Sequence, residues 1–399
     1  MFSVLVVIYA VGQHLILHFI KSKLEISKIT PLHTIHKIVS FVQYLLIALF
    51  GVIILQMVLT SSYNVLLLGL ILCTTCVLSI ALLGYLAKKF FSWLRANRDM
   101  TMISYALAIV VLCVNIALMM TLVINTINTE SGDIRHINSP VSIAHGLGNV
   151  FNLTYVISSI LSFVLLWLAT VLLLRYYSKK IGTAKYWIIV SAPLFYFLSQ
   201  FQVLFINLFD SFRLSDPIMF GIIFTLIFSL SKPIGGILFG FSFWIVSRKV
   251  GKHAIKDYLI VSAYGVILLF TTNQATNLIV VPYPPFGLVT ASLLGLSSYM
   301  LLIGIYSSAM SISRDTELRK FIHIVATKEI SLLDRIGSAQ MEQELVTKVI
   351  PIVHRKAHTM ERMTGVETSL SDDDMIKYLD DVLTEFRNSK KTNEDEKSI

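Results

Sequence analysis

Nine apolar runs, each of about 20 residues, govern what this chain can fold into. They cover residues 2–20, 38–60, 64–86, 103–125, 149–174, 187–207, 217–247, 258–274 and 286–312. A run of that length crosses roughly 30 Å of hydrocarbon as a helix. Lipid offers backbone N–H and C=O groups no partner, so the helix, which satisfies them internally, is the form such runs take. The expected fold class is all-α: a polytopic membrane protein with nine transmembrane helices over residues 1–313. With 55% hydrophobic and 14% charged residues, the chain lies outside the range of soluble domains.

Charge then orients the spans. Segments 21–37, 87–101, 175–186 and 248–257 each carry four Lys or Arg, whereas 61–63, 126–148, 208–216 and 275–285 share only Arg135 and Arg213. The positive-inside rule makes the first set cytoplasmic. The expected arrangement is a cell-membrane protein with its N-terminus extracellular and its C-terminus cytoplasmic. Residues 2–20 lack a basic leader and a small-residue cleavage site, and read as a retained span. The basic excess lies beside the membrane, where it meets lipid head groups; a nucleic-acid partner is not expected.

Three of the runs share one frame. Gly148–Arg175, Gly221–Arg248 and Gly287–Arg314 are each 27 positions apart, and a serine follows each glycine by ten residues: Ser158, Ser231 and Ser297. The last two copies also share Leu230/Leu296, Ile237/Ile303 and Ser247/Ser313. This pattern reads as a helical hairpin repeated in tandem, an arrangement that places sites at repeat interfaces. Chance similarity within apolar sequence is the alternative.

One position breaks the apolar rule. Lys232 stands in "SLSKPIGG", roughly 24 Å by helical rise from Arg248. A charge at that depth costs several kcal/mol, about 3 by insertion scales, unless it finds a partner or a cavity. Pro233 removes an N–H and frees the carbonyl of residue 229, and Gly235 and Gly236 add pliancy, so the helix is expected to bend or break here. Gln200, Gln202, Thr271, Asn273 and Ser298 lie at matching depth. Together with Lys232 they are the candidate ligand-binding residues, suited to a small anionic or polar solute. The competing reading is a kinked helix whose lysine satisfies itself on neighbouring amides and carbonyls. No Asp or Glu falls inside any of the nine runs, which disfavours a carboxylate proton relay.

Weaker signals accompany it. His14 and His18 share a helix face at i, i+4 and are a candidate metal pair, but two ligands alone do not specify a metal. Interfacial polar residues are the plainer reading. Cys73 and Cys76 form a CxxC inside a span, with no second pair; close helix packing explains them better than redox chemistry. His354 and His358 repeat the i, i+4 spacing on a basic face. No nucleophile–base set and no cofactor motif is complete, so neither an enzyme nor a cofactor is expected.

From residue 314 onward the composition changes: 17 of the 24 acids and 14 of the 33 bases lie there. Residues 315–336 read as a helix running straight out of the last span, 339–363 as a second with a kink at Pro351, and 371–387 as a third capped by Ser371. Residues 314–388 are thus expected to form a small cytoplasmic helical module, too small to be stable alone, and 389–399 a disordered charged tail. Such a module would meet a cytoplasmic protein partner or a second copy of itself.

The segments "SISRDTELRKFIHIV", "LLDRIGSAQMEQEL" and "MTGVETSLSDDDMIKYLDDVL", with the preceding "PYPPFGLVTASLLGLSSYMLL", resemble the C-terminal part of a family of uncharacterised archaeal multi-pass membrane proteins. The resemblance is best over about 257–388. It implies a multi-span membrane protein with this tail and carries no activity or site residues. Two functions are therefore expected to compete. One is a sensory, signal-relay or assembly protein whose outer loops and polar layer act on the tail. The other is a secondary transporter of a small solute around Lys232.

Overall fold

The computed structural model describes residues 2–23, 30–60, 64–96, 99–129, 149–175, 182–199, 201, 215–216, 219, 223, 227–250, 254–275, 286–315, 318–319, 322 and 331–364. Every regular element among them is an α-helix. In chain order these are α1 (Phe2–Lys23), α2 (Thr30–Thr60), α3 (Val65–Ala96), α4 (Met100–Thr129), α5 (Asn149–Leu174), α6 (Thr183–Ser199), α7 (Ser231–Lys249), α8 (Ala254–Ala275), α9 (Phe286–Ala291), α10 (Leu294–Arg314) and α11 (Ser331–Thr364).

Seven stretches are long and apolar enough to cross a membrane: Phe2–Ser22, Leu32–Thr60, Leu66–Ala96, Met100–Asn125, Leu153–Leu174, Ile255–Gln274 and Gly287–Arg314. The chain is a multi-pass membrane protein whose apolar helices suit a lipid bilayer. The expected sixth and seventh spans overlap α6 and α7, and much of 200–226 lies outside the described residues. The described part of α6 is 17 residues long, and α7 carries Lys232, Arg248 and Lys249. Neither therefore reaches the length and apolarity of the other seven.

Burial ranks the helices. In the stretch Gly287–Arg314, 89% of the apolar window is buried inside the protein, against 28% for α1 and for α2. α10 is thus the central post, packed against α2, α3, α8 and α11. α1 and α2 turn Val4, Val7, Phe41 and Val58 outward, the faces that lipid covers.

Glycines set the closest approaches. A Cβ on Gly240 would lie 2.6 Å from the Ala263 carbonyl, and one on Gly265 would lie 2.7 Å from the Leu301 nitrogen. Both are closer than real Cβ contacts allow, so α8 is clasped by α7 on one side and α10 on the other through absent side chains. This small-residue contact is how membrane helices gain dispersion energy where lipid removes the hydrophobic drive. Gly235 and Gly236 act in the same way: a Cβ there would strike the Phe163 ring and approach Phe270 Cβ to 2.8 Å. They lie within regular α7 and serve packing rather than bending.

Two interruptions fall in the repeated helices. Before α7, Ser229 and Leu230 form a turn, and Pro233 occupies the first turn of the helix, where its missing N–H has no intrahelical partner to lose. Between α9 and α10, Ser292 and Leu293 form a second turn in which Leu293 N–H donates to Thr290 O at 3.1 Å. The last expected span is therefore two helices. Its lower end also departs from expectation. α10 stops at Arg314, Asp315 is extended (φ −100°, ψ 111°), and the Asp315 carboxylate caps a new turn by accepting from Leu318 N–H at 3.0 Å. The expected continuous helix over 315–336 is thus broken by an Asp that competes for backbone donors. α11 then runs from Ser331 across Pro351 to Thr364, joining most of the second expected tail segment to the end of the first. The expected third segment, 371–387, and the tail 389–399 lie outside the described residues.

Candidate intramembrane site

The three serines that mark the repeat behave alike. Ser158, Ser231 and Ser297 are buried and each donates to the carbonyl three residues earlier, at 2.9, 2.8 and 2.8 Å. Ser247 and Ser313, another repeated pair, do the same at 2.7 and 2.9 Å. A buried hydroxyl in an apolar helix has few other acceptors, and this back-bond also loosens the helix locally.

One position beyond Ser231 lies Lys232, 5% exposed. Its Nζ donates to Asn273 Oδ1 of α8 at 2.7 Å and stands 5.8 Å from the centre of the Tyr155 ring of α5. Asn273 Nδ2 donates to Asn115 Oδ1 of α4 at 3.4 Å, and Asn115 Nδ2 donates to Ser158 Oγ at 3.0 Å and to Tyr155 O at 3.2 Å. Four helices thus meet in one buried polar chain: α7, α8, α4 and α5. A protonated lysine has three N–H donors, and among the described residues Asn273 supplies its one hydrogen-bonded acceptor. No carboxylate pairs with Lys232 among the described residues. Tyr155 adds the negative face of its ring, a favourable but weaker contact.

The turn before α7 is stitched from both neighbours. Tyr196 of α6 donates to Ile227 O, and Gln274 of α8 donates to Phe228 O at 3.4 Å. The carbonyls of residues 227 and 228 are thus taken by protein side chains. Gln274 Oε1 itself is buried without a hydrogen-bond partner among the described residues.

The other predicted residues divide clearly. Asn273 belongs to the site. Thr271 donates to Ile267 O of its own helix at 2.8 Å. Ser298 belongs to a different polar seam, where it meets Ser79 Oγ of α3 at 2.5 Å and donates to Leu294 O at 2.9 Å. Gln200 and Gln202 lie outside the described residues. Sequence reasoning missed Asn115. Its one available signal was an amide near the middle of the run 103–125, whose other amide, Asn125, is the last residue of the run.

That second seam closes the α9–α10 interruption. Thr75 Oγ1 of α3 donates to Ser292 O at 3.0 Å and accepts from Gly295 N–H at 3.1 Å, so a single hydroxyl bridges the break. Nearby, Tyr9 donates to Gln43 Oε1 at 2.9 Å and Gln13 donates to Gln43 O at 3.2 Å. His14 and His18 face outward with ring centres 6.4 Å apart, and His14 Nδ1 is 3.1 Å from the Tyr44 hydroxyl. Among the described residues no three His, Cys, Asp or Glu side chains group as metal ligands. Cys73, Cys76 and Cys113 are free thiols. The chain matches no protein-family model, no curated protein and no solved structure.

Proposed function

We propose that this is a membrane protein of sensory or signal-relay type that takes a small anionic or polar solute at Lys232 and passes its occupancy to the C-terminal helix. The observation that carries the reading is the buried Lys232–Asn273–Asn115–Ser158 chain. It leaves a lysine with one hydrogen-bonded acceptor and no acid among the described residues, an arrangement complementary to an anion. The route of relay is physical contact: α8 carries Asn273, α10 packs along α8, and α11 is seated against α10. The reading includes nine spans, with α6 and α7 as the sixth and seventh. It places the N-terminus outside and α11 in the cytoplasm, where residues 314–388 meet a protein partner or a second copy.

Purified protein in detergent tests it. Chloride, acetate and inorganic phosphate are added in turn, and thermal unfolding is followed for the wild type and for Lys232→Met. A ligand that binds only the folded state at 100 times its Kd stabilises by about 2.7 kcal/mol. At least one anion is expected to raise the wild-type Tm and to leave Lys232→Met unmoved. Equal responses of the two proteins to all three anions would falsify the site. A transporter of a small solute around Lys232 is the second reading, favoured by the meeting of four helices at the buried polar chain; flux of the stabilising anion into proteoliposomes separates it from the first.

A further inference from the structure

Away from Lys232, the first two helices bury a pair of amides, Gln13 of α1 and Gln43 of α2, both 0% exposed. Their heads are anchored. Gln13 Nε2 donates to Gln43 O at 3.2 Å, and Gln43 Oε1 accepts from the Tyr9 hydroxyl at 2.9 Å. Each amide keeps one bare atom: Gln13 Oε1 and Gln43 Nε2 are buried without a hydrogen-bond partner among the described residues. The first is an acceptor and the second a donor. Turning the Gln13 amide over would set two oxygens against each other, so its Oε1 stays bare. Turning the Gln43 amide over only changes which of its atoms meets Tyr9, and one atom stays bare in either case.

In a membrane interior lipid offers such atoms no partner. Buried polar groups are nearly always satisfied, and ordered water satisfies those that protein does not reach. The surroundings narrow the choice of ligand. Tyr9 also interacts with the Ser292 side chain, and Ser292 O accepts from Thr75 Oγ1, so the amide pair continues into the seam at the α9–α10 break. Tyr9, Gln13, Gln43, Thr75 and Ser292 are uncharged side chains, and an ion of either sign among them would lack a counter-charge. A bare donor and a bare acceptor suit a neutral molecule that accepts one hydrogen bond and gives another.

We infer that Gln13 and Gln43 form a second intramembrane site, which holds a water molecule that donates to Gln13 Oε1 and accepts from Gln43 Nε2. The site fastens the α1–α2 hairpin to the break at the top of α10. That hairpin turns most of its surface to lipid, with 28% of each apolar window buried, so a polar tie carries more of its attachment than in the central helices. The site needs nothing from Lys232 and stands whether or not an anion binds there.

The test exposes the full chain in detergent to X-ray pulses, which turn internal water into hydroxyl radicals that label the side chains beside it. Tyr9 is the reporter, being buried and in contact with Gln43. Phe163, also buried and set among the rings of Phe197, Phe239 and Phe270, is the dry reference. Tyr9 is expected to label roughly tenfold faster than Phe163, as a side chain beside a held water should. Gln13→Met keeps the length of the side chain without its polar atoms and is expected to bring Tyr9 down to the reference rate; Gln43→Met serves if the first variant does not fold. Tyr9 labelled no faster than Phe163 in the wild type overturns the site, because the amides are then dry. Fast labelling of Tyr9 that persists in the folded variant overturns it as well, because the water is then held by other groups. Lys232→Met is expected to leave the Tyr9 rate alone, so failure of this site and failure of the anion site are read separately.

Discussion

The two interrupted helices of this bundle solve one problem in two ways. At the α9–α10 break, the single hydroxyl of Thr75 takes both exposed backbone groups, and the repeat position after the shared serine is Ser298, paired with Ser79. At the break before α7, two long side chains, Tyr196 and Gln274, reach the exposed carbonyls, and the same repeat position holds Lys232. The first break is neutral, short-ranged and closed. The second has, among the described residues, an amine with one amide acceptor and a buried amide oxygen without a partner nearby. The position after the aligned serine thus carries a hydroxyl in a structural joint in one helix and an amine in a candidate binding centre in the other.

Moving the amine is the harshest way to break that contrast. Ser298→Lys is expected to destabilise by about 3 kcal/mol or more, the cost of a lysine at mid-membrane without a built partner. Its site is also filled, which adds to the cost. Thermal unfolding in detergent reads this directly, and a protein as stable as wild type would show that the second seam accepts charge as readily as the first.

Removing the acceptor is next. Asn273→Leu leaves Lys232 without its amide and Asn115 without its neighbour. The expected loss is about 1.5–3 kcal/mol, the range for hydrogen bonds to charged groups. An unchanged denaturation midpoint would mean that the Asn273 contact contributes nothing to holding the lysine.

Thr75→Val is the mildest. It preserves shape but leaves Ser292 O and Gly295 N–H unpaired, at a cost of about 1–2 kcal/mol. Amide hydrogen exchange is expected to quicken around Ser292 and Gly295 while α7 keeps its protection. Loss of protection in α7 as well would show that the two breaks are one cooperative unit rather than two independent joints.

Why some of this was legible in the sequence follows from the physics of each signal. Apolar length reads well because lipid permits a single backbone solution; seven of the expected runs reappear as helices able to span. Lys232 and Asn273 were visible because depth can be counted from a charged end at a fixed rise per residue. The glycines of α7 misled because absence of a side chain has two uses, bending and close contact, and only the neighbour decides between them. The seat of α11 was hidden for a related reason. Its charged composition reads as a module in water, yet Leu332, Leu333, Ile336 and Ala339 are buried. Trp93 and Gln340 lie 247 positions apart, a pairing that no local pattern announces.

The continuity of α11 has a mechanical consequence. The helix is 34 residues long, and its first part, through Glu344, is tied to the bundle, whereas Thr347, Ile352, Arg355 and Arg362 farther along are exposed. At 1.5 Å per residue the part beyond Glu344 is roughly 30 Å long. A rigid rod pivoting there through about 10° swings its far end by about 5 Å, as wide as one helical turn. A small tilt at the base would thus arrive at the tip as a displacement that another protein can feel.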